Sequence, residues 1–279
     1  MIVFAYDGSL NDDWVAHYAV RFAAHTPERR LRLLHVHQGA PAAGIEPRLA
    51  RIAEECAHQG VTLATELHAA GAMGVAERLL ELVPADSRTT LVAGTRARPR
   101  NLAFLAGTVS ARLFAAARFR VLAIRVVQPG LLGQPGRVLL PLPAPAQSAA
   151  HALPLLGLLG PDLRQLHLLL VHEVSRTRFR FMSARTARRL LAEERASASR
   201  LEEELRAGLA PHRFELDASA VVSDDLPKEI LVFAGKLRSR LVCLGAPERT
   251  LAQRLAYGSP IEQVLRDAPC DVAVYRSTD

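Results

Sequence analysis

Two α/β units in one chain, each a doubly wound sheet of five parallel strands with helices on both faces, are what the 279-residue sequence predicts. Three observations carry this reading. Short apolar strands alternate with amphipathic helices, once before Pro129-Gly130 and again after Pro135-Gly136, and such alternation requires parallel crossovers. The length suits two domains of ordinary size, each able to bury its own core. Finally, one punctuation occurs twice: LVAGTRARPRNLAFLAGTVSARLF from Leu91 and LVCLGAPERTLAQRLAYGSPIEQVL from Leu241. The spacing from Gly94 to Gly107 equals that from Gly245 to Gly258, and a hydroxyl residue, Thr108 or Ser259, follows each second glycine. A strand running into a glycine turn and then a helix N-terminus presents backbone N–H groups to an anion. Its recurrence marks a duplicated unit, with domains expected over 1–131 and 132–279.

The elements follow in order. Ile2–Tyr6 is a short apolar strand, and Asp7-Gly8-Ser9 is a turn and helix-cap signal. Trp14, Val15, Tyr18, Ala19, Phe22 and Ala23 recur at helical spacing. Arg30–His37 is the second strand, Pro47–His58 a helix closed by Gly60, and Val61–Ala69 an alternating third strand. Gly74–Val83 is the third helix; TTLVAG, TVSARLFAAA and Arg120–Val127 complete the unit. After the Pro/Gly linker come RVLLPL, a helix near Ser148–Leu158, and QLHLLLVHEV. A long charged helix over Ala184–Gly208 follows, then FELDASAVV, LPKEILVFAGKL, SRLVCLG, a helix from Ser259, and DVAVYR. The long helix carries Arg188, Arg189, Glu193, Glu194, Arg200, Glu203 and Glu204 opposite Leu190, Leu191, Leu201 and Leu205, which reads as a solvated face over a hydrophobic seam.

Composition narrows the function classes. A formal charge of +7 comes almost wholly from Arg, since Lys228 and Lys236 are the only lysines. These cations read as dispersed among Glu and Asp without an aromatic-interleaved stripe, so no nucleic-acid partner is expected. No apolar run is long enough to span a bilayer without charges, and MIVFAYDGS carries no basic leader. A cytoplasmic protein with no membrane partner is the expectation. Cys56, Cys243 and Cys270 form no CxxC or paired framework and read as small buried hydrophobes, with a redox role for Cys270 as the alternative.

On the Val3–Ser9 start, the five-strand alternation, the repeated late glycine motif and the closing GSPIEQVLRDAPCDVAVYR, the chain resembles the universal stress protein family in its tandem, two-domain form. The resemblance spans nearly the whole sequence and implies the adenine nucleotide alpha-hydrolase-like fold. In ATP-binding members the motif wraps the triphosphate, and the acid of strand one lies near ribose and metal. Residue by residue, this implies a cofactor site of Asp7, Gly94, Ala97, Gly107, Thr108, Val109 and Ser110, with Val36 facing the adenine and Ala93 beside it. The ligand implied is ATP or another adenine nucleotide, with magnesium. A weaker second site would use Gly245, Gly258 and Ser259. The resemblance also implies pairing of domains through their closing strands, with Val121–Val127 and Val272–Tyr275 as candidates for an internal pseudo-dimer, and a homodimer beyond it.

The departures are specific. The family's motif reads G-x2-G-x9-G-[ST], and its middle glycine is replaced by Ala97 in the first half and Glu248 in the second. Ala resists a left-handed backbone, and Glu248 sets a carboxylate where a phosphate would lie. The second half has Pro143-Ala144-Pro145 in place of Asp-Gly-Ser, so its site reads as degenerate. Arg96, Arg98 and Arg100 either offset phosphate charge or are solvated loop residues. Asp7 stays open between ligand binding and capping. His35 and His37 share a strand face, with His172 equivalent to His37; they fit contacts with loop groups better than a zinc site lacking further ligands. No P-loop, nucleophile elbow or base beside the glycine turn is present. The expected protein is therefore a stress-response regulator, not an enzyme, and slow ATP hydrolysis is disfavoured. It would bind an adenine nucleotide in its first domain and a protein partner. The alternative is a nucleotide-free scaffold.

Overall fold

The structure, a computed structural model, describes residues 1–39, 44–95, 109–116, 118–131, 134–246 and 260–277. It resolves into two compact units. The first comprises Met1–Gly133 with Ala246 and Ala273–Asp279; the second comprises Gln134–Gly245 and Pro260–Val272.

In the first unit the strands are β1 (Ile2–Ala5), β2 (Arg30–His37), β3 (Thr62–Ala69), β4 (Thr90–Gly94) and β5 (Arg120–Arg125). They lie in the order β3-β2-β1-β4-β5, every neighbouring pair parallel. Strands so placed are covered on both faces, which is why β1, β4 and β5 are near-continuous apolar runs and not alternating ones. Helices α1 (Leu10–Ala24) and α2 (Ile45–His58) pack together, as do α3 (Val75–Leu82) and α4 (Val109–Ala116). Right-handed crossovers put the first pair on one face of the sheet and the second pair on the other. Phe4, Tyr18, Phe22, Leu33, Leu91 and Phe114 are fully buried between these layers. Edge strand β3 is mostly exposed, and charge guards it. The Arg32 guanidinium grips Glu66 at 2.6 and 2.8 Å. That fork, with His68 at 3.0 Å, holds the Glu66 carboxyl down at about 2, and a charged edge resists pairing with other chains.

The second unit repeats the plan with β6 (Arg137–Pro143), β7 (Gln165–Glu173), β8 (Glu215–Ser223) and β9 (Leu241–Gly245) in the order β9-β6-β7-β8, again parallel. Asp271 N–H donates to Arg240 C=O at 3.2 Å and sets the start of β10 (Asp271–Arg276) beside that of β9. The helices are α5 (Leu153–Leu159), α6 (Arg176–Arg180), α7 (Ala184–Gly208), α8 (Leu226–Lys236) and α9 (Pro260–Asp267). The long helix α7 lies on β7 and β8, while α8 packs on α9, β6 and β7. The expected helix near Ser148–Leu158 is a 3-10 turn followed by α5, because Pro154 suits a first helical turn. The solvated charged face expected of α7 has one exception: Glu194 is 3% exposed. The short helix α6 was not anticipated between β7 and α7.

The thiols are buried and free. Burial pushes the Cys56 thiol up to about 11 and that of Cys270 to about 12, which suits packing and not thiolate chemistry. Among the described residues no helix is long and apolar enough to cross a membrane. Phe4→Ala should lower unfolding free energy by about 3–5 kcal/mol in a urea titration. Val232→Ala, on the exposed side of α8, should stay within about 0.5 kcal/mol.

Candidate functional site

In a doubly wound sheet the ligand-binding crevice lies at the carboxyl ends of the strands, where strand order reverses. In the first unit that point falls between β1 and β4. Their register pairs Ala5 with Ala93, so Asp7 and Gly94 emerge at one rim. Gly8, at φ +80°, lets the chain turn sharply off β1. Asp7 Oδ1 then accepts the Ser9 N–H at 2.7 Å, and the Ser9 side chain caps α1 by accepting from Asp12 N–H at 3.3 Å.

Asp12 fills the crevice. It stands in the first turn of α1, is 4% exposed, and its Oδ2 accepts the Asp7 N–H at 2.8 Å. A Cβ built on Gly94 would lie 1.7 Å from Asp12 Oδ1 and 2.6 Å from Asn11 Nδ2. Glycine is therefore needed at 94 to seat a carboxyl group of this same chain. Desolvation raises the Asp12 pKa well above the ordinary carboxylate range, and the neighbouring Asp7 charge raises it further. The helix N-terminus favours negative charge at this position, but burial outweighs it.

Around this centre the polar groups are largely occupied. Tyr6 OH donates to Asp13 Oδ1 at 2.5 Å, and Asp13 also pairs with Arg48. Burial and the Asp13 carboxylate push the Tyr6 phenol up. His35 places Nδ1 2.8 Å from Tyr6 O, and His37 places Nδ1 2.6 Å from Gly39 O. The contacts of these histidines are thus with backbone at the strand ends, and their rings stack at 5.8 Å. His35 Nε2 is buried without a hydrogen-bond partner among the described residues. Among those residues no group of three or more His, Cys, Asp or Glu is placed to hold a metal ion.

The other residues singled out in the sequence fall as follows. Val36 and Ala93 are buried within their strands, Val109 is exposed at the start of α4, and Ser110 is buried in its first turn. Ala97, Gly107, Thr108, Gly258 and Ser259 lie outside the described residues, as do Arg96, Arg98, Arg100 and Glu248. Gly245 ends β9 and is exposed. At the rim of the second unit, β6 ends in Pro143, which supplies no carboxylate. His172 Nδ1 instead meets Glu194 Oε1 at 2.9 Å, and Ser223 Oγ donates to Glu229 Oε1 at 3.0 Å. Sequence reasoning missed Asp12 and Glu194. An acid next to a helix cap signals only capping until the strand beside it is known. The reading also missed the Arg and Phe residues of α6, which interleave within Arg176–Phe181.

A parallel α/β sheet with its polar groups gathered at the carboxyl ends of the strands defines a protein of the doubly wound, nucleotide-fold class. The model of the universal stress protein family matches residues 137–276, and the chain belongs to that family. A universal stress protein from Archaeoglobus fulgidus DSM 4304 superposes with a TM-score of 0.63 at 16% identity, over 100% of this chain and 96% of that one. A functionally unknown protein from Pseudomonas aeruginosa PAO1 gives 0.62 at 16%, over 100% and 92%. The cytoplasmic domain of a prokaryotic cation chloride cotransporter gives 0.57 at 11%, over 99% and 95%. At these identities the likeness is one of fold. No curated protein sequence matches the chain.

Gly94→Ala should destabilise the protein by more than about 2 kcal/mol, since its methyl has no space beside a buried carboxyl. Combining it with Asp12→Ala should recover about 1–3 kcal/mol of coupling in a double-mutant cycle read by urea unfolding. The pH dependence has a defined sign. A native pKa above the unfolded value means the native state holds a proton that the unfolded chain has lost. The Asp12 contribution is therefore full below the ordinary aspartate pKa and declines as pH rises toward the native value. Asp12→Asn should gain stability relative to wild type as pH climbs above about 4, by at most about 1.4 kcal/mol per pH unit.

Proposed function

We propose that the protein is a tandem universal stress protein, with domains over 1–131 and 132–279, that serves the stress response in the cytoplasm as an interaction scaffold. Its partners are other proteins, a second copy of the chain among them, and no turnover of a substrate belongs to this reading. The observation that carries it is the Asp12 carboxyl seated against Gly94 with Asp7 beside it. A triphosphate would have to displace the buried Asp12 carboxyl from beside Gly94 and would then lie near the Asp7 carboxylate. Seating the phosphates would mean expelling a packed side chain beside an acidic residue, so these residues fit the phosphates of an adenine nucleotide badly. In the second unit Pro143 and the His172–Glu194 pair support the same reading.

A second reading is favoured by one arrangement. Asp7 is exposed at the end of β1, next in the sheet to β4, the placement that an acid contacting ribose and magnesium would need. On this reading ATP or a related nucleotide binds the first domain as a signal. Calorimetric titration with magnesium-ATP separates the two. Wild type should show no saturable heat, and Asp12→Ser, which clears the crevice, should gain binding if the rest of the site is competent. Saturable binding by wild type that is lost in Asp7→Ala would replace the scaffold with the nucleotide reading.

A further inference from the structure

The connection between β7 and α7 carries the strongest concentration of one charge in the chain. Arg176, Arg178, Arg180, Arg185, Arg188 and Arg189 fall between Ser175 and Leu190, with no acidic residue in the interval. All six side chains are exposed. Arg189 has Glu193 at 3.6 Å, a loose pair on an open helix face. No described carboxylate pairs with the other five, so their charge is available to a partner.

Within this basic segment stand Phe179, 43% exposed, and Phe181, 79% exposed. Phe181 is the most exposed large hydrophobic residue among those described. These rings are held out by well-formed local structure. Ser175 caps α6 by accepting from Arg178 N–H, and Ser183 caps α7 by accepting from Thr186 N–H. Only Phe181 and Met182 separate α6 from the capping Ser183. These two capped helices meet at a tight junction, here called the corner, and Phe179 and Phe181 are exposed there within the arginine-rich segment.

We propose that this corner is a docking surface for an anionic phospholipid bilayer. Guanidinium groups match phosphate in geometry and charge, and polybasic surfaces are drawn to anionic leaflets. Phenylalanines enter the boundary between headgroups and acyl chains, where an apolar ring leaves water without abandoning the charged groups beside it. Single-stranded nucleic acid also combines phosphates with aromatic contacts, but it stacks bases on ring faces along a groove. Here the Arg180 guanidinium lies over the Phe181 ring at 5.9 Å, so one ring face on which a base would stack is already covered. The geometry therefore favours insertion over stacking. This surface uses none of the residues around Asp7, Asp12 and Gly94, and binding would place a stress-family protein at a membrane surface.

Co-sedimentation of the full chain with vesicles tests the proposal. One set is phosphatidylcholine alone, the other phosphatidylcholine mixed with phosphatidylglycerol. Wild type should pellet with the mixed vesicles only, and less so at high salt. Phe179→Ser/Phe181→Ser and Arg178→Ala/Arg180→Ala should each lower the partition constant by more than about tenfold. Their melting temperatures should match wild type, because all four side chains are exposed. Failure of wild type to pellet with anionic vesicles overturns the proposal, as does pelleting that neither variant weakens. A parallel titration with a labelled oligouridine covers the rival: tight binding to it, lost in the same variants and without vesicle binding, assigns the surface to RNA instead.

Discussion

The rim of the first unit depends on one buried carboxyl group. Asp12 reaches back from the first turn of α1 to the end of β1, accepts the Asp7 N–H at 2.8 Å, and rests where any side chain at position 94 would have to go. Each feature around it then has a physical reason. Gly8 turns the chain off β1 in a left-handed conformation, and Ser9 caps the helix that delivers Asp12. Gly94, the one glycine of β4, leaves a surface that a carboxyl group can approach closely. An isolated charged carboxylate is expensive to bury, and the raised pKa shows how the group is accommodated. It is held toward its neutral form, which also eases its proximity to Asp7.

That arrangement changes what a glycine at the end of a strand means. In a doubly wound sheet such a glycine signals close approach by something, and phosphate is one candidate. The same absence of a side chain equally admits a group from within the chain. Local sequence does not distinguish them, since both demand glycine before a turn. The deciding fact is the adjacency of β1 and β4, elements separated by two strands and three helices in sequence. Glu194 gives the same lesson. Its place on α7 looks like that of its exposed neighbour Glu193, yet α7 packs on β7 and brings Glu194 against His172. The alternation of strands and helices, by contrast, was legible because it is written in local periodicity. Continuous apolar runs mark the buried parallel strands, and Ser9 marks a helix start where its side chain is found capping. Helix α6 escaped because it is five residues long and has no buried residue, so no hydrophobic period announces it.

At the described strand ends both units join their own side chains, though by different chemistry. The first uses a carboxyl on a glycine. The second ends β6 at Pro143 and ties β7 to α7 through His172 and Glu194, with Ser223 and Glu229 joined at the end of β8.

The basic corner follows from the same architecture. Connections at the carboxyl ends of parallel strands tolerate insertion because the sheet and its covering helices are already complete without them. The link from β7 to α7 is such a connection, and neither α6, which carries Phe179, nor Phe181 after it adds a buried residue to the core. A segment with no burial to gain would be expected to lose its exposed aromatics to polar residues if solubility were its only constraint. Retaining Phe181 at 79% exposure, among arginines that no described carboxylate neutralises apart from the loose Arg189–Glu193 pair, is instead consistent with a surface that is completed by something outside the chain. The two capping serines sharpen that argument. They fix the corner before any partner arrives, so less conformational entropy is lost on docking than a flexible basic tail would lose.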